Sequence, residues 1–265
     1  MKKLYEEQHI SNIAGAIREK NGKTDSYKVA DMAQAIKDIP TGGGSGSNTD
    51  ALISSDAELN EYANENVYTL RDYAFYKTNI KKISLPNVTK LGLYSFRNCA
   101  AETIELPMLT SYYGGDADAW YAFQNCTNLK SISLPLVTSL VDFMFANCTS
   151  LEKAVFERCL TFEKANFYGC SKLKVVKFGK ACNFTFDSTN ASHYPFGKCS
   201  SLTAVIIGGT TVPTLTRSTA FATTPIASGT GYIYVPDNLV DSYKSATNWS
   251  TYATQIKPIS EYVEE

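Results

Sequence analysis

Between residues 75 and 221 one hydrophobic pattern is written again and again. Phe123-Gln-Asn-Cys-Thr-Asn-Leu129, Phe145-Ala-Asn-Cys-Thr-Ser-Leu151, Phe167-Tyr-Gly-Cys-Ser-Lys-Leu173 and Phe196-Gly-Lys-Cys-Ser-Ser-Leu202 share apolar first, fourth and seventh positions. Each runs into alternating residues such as Lys130-Ser-Ile-Ser-Leu-Pro135, the period-two signature of a half-buried strand. Pro135 ends that strand, and Val137-Thr138-Ser139-Leu140 begins a second extended piece. Aligning the Phe positions gives 75, 96, 123, 145, 167, 196 and 221, in steps of 21, 27, 22, 22, 29 and 25. A unit of about 22 residues repeated this way predicts a solenoid, in which each coil leaves an apolar edge for the next to cover.

The ends follow a different period. Ile10, Ile13, Ala14 and Ile17, then Val29, Met32, Ala33, Ile36 and Ile39, fall at helical spacing on either side of Asn21-Gly-Lys-Thr-Asp25. This predicts a helical hairpin with one apolar face over residues 1–40, closed by Pro40 and too small to stand alone. A DNA-reading helix-turn-helix is disfavoured, since no third helix and no basic recognition face follow. Thr41-Gly-Gly-Gly-Ser-Gly-Ser-Asn48 reads as a flexible linker over 41–50. The array is expected over 51–230 and a cap over 231–265. The cap comprises a strand at 232–236, a short helix from Asp237 (its expected N-cap) to Lys244, Trp249, and a strand at 255–259.

Three insertions, at 112–121, 181–194 and 208–217, lengthen the period. Insertions in repeat proteins leave by one face and commonly carry the binding role. The first holds Tyr112, Tyr113, Asp116, Asp118, Trp120 and Tyr121, the residues expected to contact a ligand, because exposed Tyr and Trp make binding hot spots and stack on sugar faces. The competing reading is that these rings pack down over the adjacent coil. Asp116 and Asp118 are too few for calcium and read as a solvated loop.

Composition narrows the partners. Lys and Arg number 25 against 26 Asp and Glu, so neither nucleic acid nor an anionic membrane finds a basic face. No run is apolar enough for membrane insertion, and the start at Met1 shows no signal peptide. Histidine occurs only as His9 and His193. Of seven cysteines, Cys99, Cys126, Cys148, Cys170 and Cys199 share one repeat position, while Cys159 and Cys182 lie outside it, 23 residues apart. A column of that kind predicts small, buried, reduced side chains; zinc and disulfides are the lesser alternatives, and no Cys-x-x-Cys is present. Cys199 with His193 is the sole Cys/His proximity, and no Gly-x-Ser-x-Gly elbow occurs. The expectation is a protein without catalysis, cofactor or metal.

The Ala-Phe-x-x-Cys-x-x-Leu-x-x-(Ile/Val) runs with their Leu-Pro strand ends, at 85–96, 106–123, 134–151 and more loosely 155–205, resemble the BspA-type leucine-rich repeat of bacterial and protist surface proteins. The resemblance implies an α+β leucine-rich-repeat solenoid, preceded here by the small helical hairpin, and an adhesion or ligand-binding scaffold with no catalytic residues. Thr78 replaces the usual Cys, and Ala154-Val-Phe-Glu157 replaces a Leu-Pro strand end, so that coil should bend or twist differently. Ile10-Ser-Asn-Ile-Ala-Gly-Ala-Ile-Arg-Glu-Lys-Asn-Gly-Lys-Thr24 with Met32-Ala-Gln-Ala-Ile-Lys-Asp-Ile-Pro40 resembles a segment near the N-termini of tail-associated proteins of phages and prophages of Gram-positive bacteria. That likeness implies a virion protein that recognises a host surface glycan or protein. Residues 1–40 would then dock on another tail protein or on themselves as a homo-oligomer. The alternative is an adhesin or interaction module at the bacterial cell surface.

Overall fold

The computed structural model describes residues 61–112, 121–186 and 188–264. The chain divides into two units, Met1–Gly46 and Ser47–Glu265, and every described residue belongs to the second. The hairpin expected at 1–40, the linker at 41–50 and the array's onset from 51 lie outside the described residues.

The second unit is a parallel β-solenoid. On its first face stand β1 (Glu61–Ala63), β3 (Lys82–Ser84), β5 (Thr103–Glu105), β7 (Ser131–Ser133), β9 (Lys153–Phe156), β11 (Val175–Phe178), β13 (Ala204–Ile207), β14 (Tyr232–Val235) and β15 (Ile256–Pro258). Two-residue strands make the second face: β2 (Thr69–Leu70), β4 (Lys90–Leu91), β6 (Ser111–Tyr112), β8 (Ser139–Leu140), β10 (Thr161–Phe162) and β12 (Asn183–Phe184). Pairing is in register between repeats: Ile83 opposite Ile104, Val176 opposite Val205, Leu140 opposite Phe162. Each of these residues, second in its strand, is buried, so one apolar choice per coil builds a continuous column.

The strands vary in length for a local reason. Pro86, Pro107 and Pro135 follow the leucines closing the early first-face strands and have no N–H to continue the ladder. Where the Leu-Pro end is replaced, the ladder gains a rung: Gly179 N–H donates to Phe156 O at 3.0 Å and Gly208 N–H to Phe178 O at 2.8 Å. The departure at residues 154–157 thus lengthens the strand, and Phe156 fills the core position held by Leu134 one coil earlier, between Phe145, Phe167 and Phe178.

The aligned phenylalanines form the spine. Phe75, Phe96, Phe123, Phe145, Phe167, Phe196 and Phe221 stack with successive centroids 5.1–5.8 Å apart and rings within 15° of parallel. Beside them the column cysteines are buried free thiols. Cys126, Cys148, Cys170 and Cys199 donate to the carbonyls of Phe96, Phe123, Phe145 and Phe167 at 3.0–3.2 Å. Burial pushes the Cys126, Cys170 and Cys199 thiols up. At the two ends of the column Thr78 and Thr224 bond the carbonyls of Phe75 and Phe221, so the position selects a small side chain carrying a donor.

The cap closes the last coil. Trp249 is buried, donates Nε1–H to Pro213 O at 2.7 Å and packs edge-on to Phe184 and Tyr243. Its helix is shorter than expected: a 3-10 turn at Asp237–Leu239 leads into α1 (Val240–Ser245). Asp237 is not its N-cap; the carboxylate accepts from Ser260 N–H at 3.2 Å, pinning the turn to the chain's end instead.

Candidate ligand-binding surface

In five successive coils, from Tyr73 to Gly169, the turn from the second face to the next first-face strand carries two left-handed residues four positions apart. Two positions before the stacked Phe stand Tyr73, Tyr94, Tyr121, Phe143 and Ala165, with φ of 52–66°. Two positions after it stand Lys77, Asn98, Asn125, Asn147 and Lys198, with φ of 58–62°, and Gly169 at 79°. Left-handed backbone costs an L-residue about 1–2 kcal/mol, and bulky aromatics rarely accept it. The return is a third hydrogen-bonded face. Alternate N–H groups now point along the solenoid axis, as in Phe96 N–H to Ala122 O at 2.8 Å and Asn98 N–H to Gln124 O at 2.9 Å. Asparagine amides add their own ladder, Asn147 to Asn125 at 3.1 Å and Asn125 to Asn98 at 3.0 Å. Gly169 continues that column without a side chain because a Cβ there would lie 2.3 Å from Asn147 Oδ1.

The same geometry turns the preceding aromatics outward. Tyr73 meets Tyr94 at 5.1 Å with the rings tilted by 42°, and Tyr94 stacks on Tyr121 at 5.6 Å and Tyr121 on Phe143 at 5.2 Å. Tyr73 is 50% exposed, and the other three rings are half-buried. Tyr76 meets Tyr73 edge-on at 5.4 Å. The Arg97 guanidinium lies 4.8 Å from the Tyr94 centroid and 5.7 Å from that of Tyr121, a cation–π clamp over two coils. Arg97 Nε and Gln124 Oε1, one coil apart, are buried without hydrogen-bond partners among the described residues.

The ladder ends at an insertion. Phe143 meets the His193 ring edge-on at 5.8 Å, and His193 Nδ1 lies 2.8 Å from Ser188 Oγ. Ser188 borders an open groove, with Tyr194, Thr216, Arg217, Thr219 and Asn248 among its walls. Thr219 Oγ1 is buried there without a hydrogen-bond partner among the described residues, and Asn248 has φ of 63°. Two of the three insertions, 181–194 and 208–217, therefore meet at one groove. The Ser188–His193 contact belongs to a local turn, since Asn190 N–H also bonds Ser188 Oγ. Cys199, the sequence neighbour of His193, instead directs its thiol to Phe167 O in the core.

Of the residues expected to contact a ligand, Tyr121 lies on the ladder. Tyr112 does not: it is 4% exposed, pairs in register with Leu91, and fills the core column of the second face. Its side chain is unavailable to a ligand, and the expectation for Tyr112 is corrected. Tyr113, Asp116, Asp118 and Trp120 lie outside the described residues. Tyr73, Tyr94, Phe143 and Arg97 escaped the sequence reading, although the signal was present as an aromatic two places before four successive stacked phenylalanines. Among the described residues no group of three or more His, Cys, Asp or Glu side chains is placed to hold a metal ion.

Tyr94, Tyr121 and Phe143 face one another, so stacking occupies the faces they share. What remains at solvent is about half of Tyr73 and part of Tyr94, Tyr121 and Phe143. A ring edge is electropositive and a phenol hydroxyl both donates and accepts. One such ring per coil suits an extended polar chain better than a single compact molecule.

Comparison with known proteins agrees with this architecture. The family model described as the BspA type leucine rich repeat region matches in six copies, over residues 59–174 and 119–226. Among solved structures, a leucine-rich repeat protein from Bacteroides ovatus ATCC 8483 is similar at 19% identity and a TM-score of 0.45, over 77% of this chain and 55% of that one. The pneumococcal vaccine antigen PcpA is similar at 15% identity and a TM-score of 0.38, over 76% of this chain and 40% of that one. The chain thus spans about half the length of these structures or less. No curated protein sequence matches it. With the repeat model covering more than half of its residues, the chain belongs to the BspA-type leucine-rich-repeat family.

Proposed function

We propose that the chain is a non-catalytic recognition protein that grips an extended glycan or protein strand at a host cell surface along Tyr73, Tyr94, Tyr121 and Phe143, with the groove at Arg217 receiving one end. The ladder carries this reading: four part-exposed aromatic rings, one per coil, on backbone held in a costly conformation. Family membership supports an interaction or adhesion role. The tail-associated, virion setting rests on the likeness of residues 10–40 to phage and prophage tail proteins.

The test separates hydroxyl chemistry from folding. Tyr73→Phe, Tyr94→Phe and Tyr121→Phe together keep the stack and remove the hydroxyl row. Three hydrogen bonds of about 1 kcal/mol each predict a loss of cell binding of at least about tenfold, at unchanged melting temperature. Unchanged binding rejects the ladder as the contact surface. Treating the cells with periodate or with protease tells glycan from protein. Immunogold labelling of particles distinguishes the virion setting from the alternative, a bacterial cell-surface adhesin using the same edge.

A further inference from the structure

Cys159 and Cys182 stand outside the thiol column, on neighbouring coils, with Sγ atoms 3.2 Å apart. Both side chains are fully buried. Cys159 lies two residues before β10, where Val88, Leu109 and Val137 lie before β4, β6 and β8, so the repeat asks only for an aliphatic group there. Cys182 sits one residue nearer its strand. The equivalent residue before β10 is Leu160, which is 49% exposed, yet Cys182 is turned inward onto Cys159. Two separate departures from the repeat therefore meet in one contact. The column cysteines behave otherwise: Cys126, Cys148, Cys170 and Cys199 each bond a Phe carbonyl of the preceding coil and Cys99 meets Thr78 Oγ1, whereas Cys159 bonds Thr161 O of its own coil and faces a second sulfur.

The backbones suit a covalent link. Thr161 pairs with Asn183 in parallel register, so adjacent strands run about 4.8 Å apart, and a disulfide spans Cα separations of about 4.4–6.8 Å. Cys182 also opens the 181–194 insertion, which supplies His193 to the end of the ladder and Ser188 and Tyr194 to the groove. A bond at its root would tie that wall to the coil beneath.

We propose that Cys159 and Cys182 form a cross-coil disulfide when the chain meets an oxidising small disulfide, and that this bond fixes the base of the groove-forming insertion. One thiolate attacks the small disulfide, forming a mixed disulfide and releasing one small thiolate. The second thiolate then attacks the protein-side sulfur and expels the other small thiolate. The pair loses two protons and two electrons, and the small disulfide is reduced to two thiols.

Burial slows reagent access to the folded pair, so the full chain is refolded from denaturant in a glutathione redox buffer, with a fully reducing refold alongside. The expected result is a non-reduced proteolytic peptide joining Cys159 to Cys182, two hydrogens lighter than the separate thiol peptides. The melting temperature should rise by about 5–10 °C over the reduced chain and fall back with dithiothreitol. The same refold of Cys182→Ala should lose the linked peptide and the rise while leaving the other cysteines unlinked. Absence of the linked peptide from the oxidised chain overturns the proposal. So do links spread over the column cysteines at comparable yield, or a linked chain that melts below the reduced one.

Discussion

The Tyr112 hydroxyl donates to the Ser139 carbonyl oxygen at 3.0 Å, spanning 27 residues of sequence. It does so where the strand ladders are interrupted: β1-β3-β5 and β2-β4-β6 end there, and β7-β9-β11 and β8-β10-β12 begin. Across the long step from Phe96 to Phe123 strand pairing lapses on the first two faces while the third stays bonded, Phe96 N–H to Ala122 O and Asn98 N–H to Gln124 O, and a side chain longer than leucine reaches across. Met144 Sδ lies 3.7 Å from the same hydroxyl, so the phenol end is buried against soft as well as polar atoms.

Tyr112→Phe should therefore cost about 1–1.5 kcal/mol, the worth of a buried hydrogen bond. In a unit of this size that lowers the melting temperature by about 2–6 °C. Tyr112→Leu, which restores the residue type of Leu91 and Leu140, should cost more, because it also vacates ring volume in a buried site. Thermal melts of the two variants, with amide exchange at residues 139–141, check the order. A Tyr112→Leu chain as stable as the parent would show that the hydroxyl does not bridge the break.

The same residue shows how far the sequence could be read. Thr110-Ser-Tyr112 is the counterpart of Thr89-Lys-Leu91 and Thr138-Ser-Leu140, and that alignment would have placed Tyr112 in the core. Counting the insertion between phenylalanines hid where it begins. The spine was legible because burial on one face fixes a residue type at a fixed period, and all seven aligned phenylalanines do stack. The ladder was not legible, because hydrophobic alternation carries no information about left-handed turns. An aromatic two places before a core Phe looks like a second core residue until φ is known. Asp237 was misassigned for a related reason: an acidic residue before a helix resembles a cap whether its partner is local or, as here, Ser260.

Cys148 tests what the thiol column requires. Its sulfur donates to Phe123 O at 3.2 Å inside a fully buried site. Cys148→Ser keeps a donor in reach of that carbonyl and should cost about 1 kcal/mol, the difference in burying a hydroxyl. Cys148→Val removes the donor and adds branching beside the Phe123–Phe145 stack, and should cost about 2–3 kcal/mol. Urea midpoints at constant slope measure both. The reverse order would show that apolar volume alone sets the column.

The response to acid should be shallow and salt-dependent. Lys130 holds the Glu102 carboxyl below its usual range, and Lys174 does the same for Glu152, each through a hydrogen-bonded ion pair between adjacent coils. A depressed folded-state value means stability present above the ordinary carboxylate value of 4.5 and lost as pH falls through the folded one. Both pairs are exposed, so screening limits the effect. Melting temperature should decline below about pH 4.5, less steeply at 0.5 M salt than at low salt. Glu102→Gln with Glu152→Gln should flatten the decline, and an undiminished slope would place the acid-sensitive groups elsewhere.

Asn147 separates the two tasks of the left-handed turn residues. Its φ is 61°, and its amide donates to Asn125 Oδ1 at 3.1 Å. Asn147→Gly keeps the conformation and loses the amide ladder, whereas Asn147→Ala loses both. Left-handed backbone costs alanine about 1 kcal/mol more than glycine, so the Ala chain should be the less stable by about that amount. Glycine's larger unfolded-state entropy narrows the gap without reversing it. The Asn147 N–H to Tyr168 O bond, at 2.7 Å, survives only if the left-handed turn does, so its amide should exchange faster in the Ala chain than in the Gly chain. Equal stability and equal exchange would mean that intercoil packing, rather than the turn's handedness, holds the third face together.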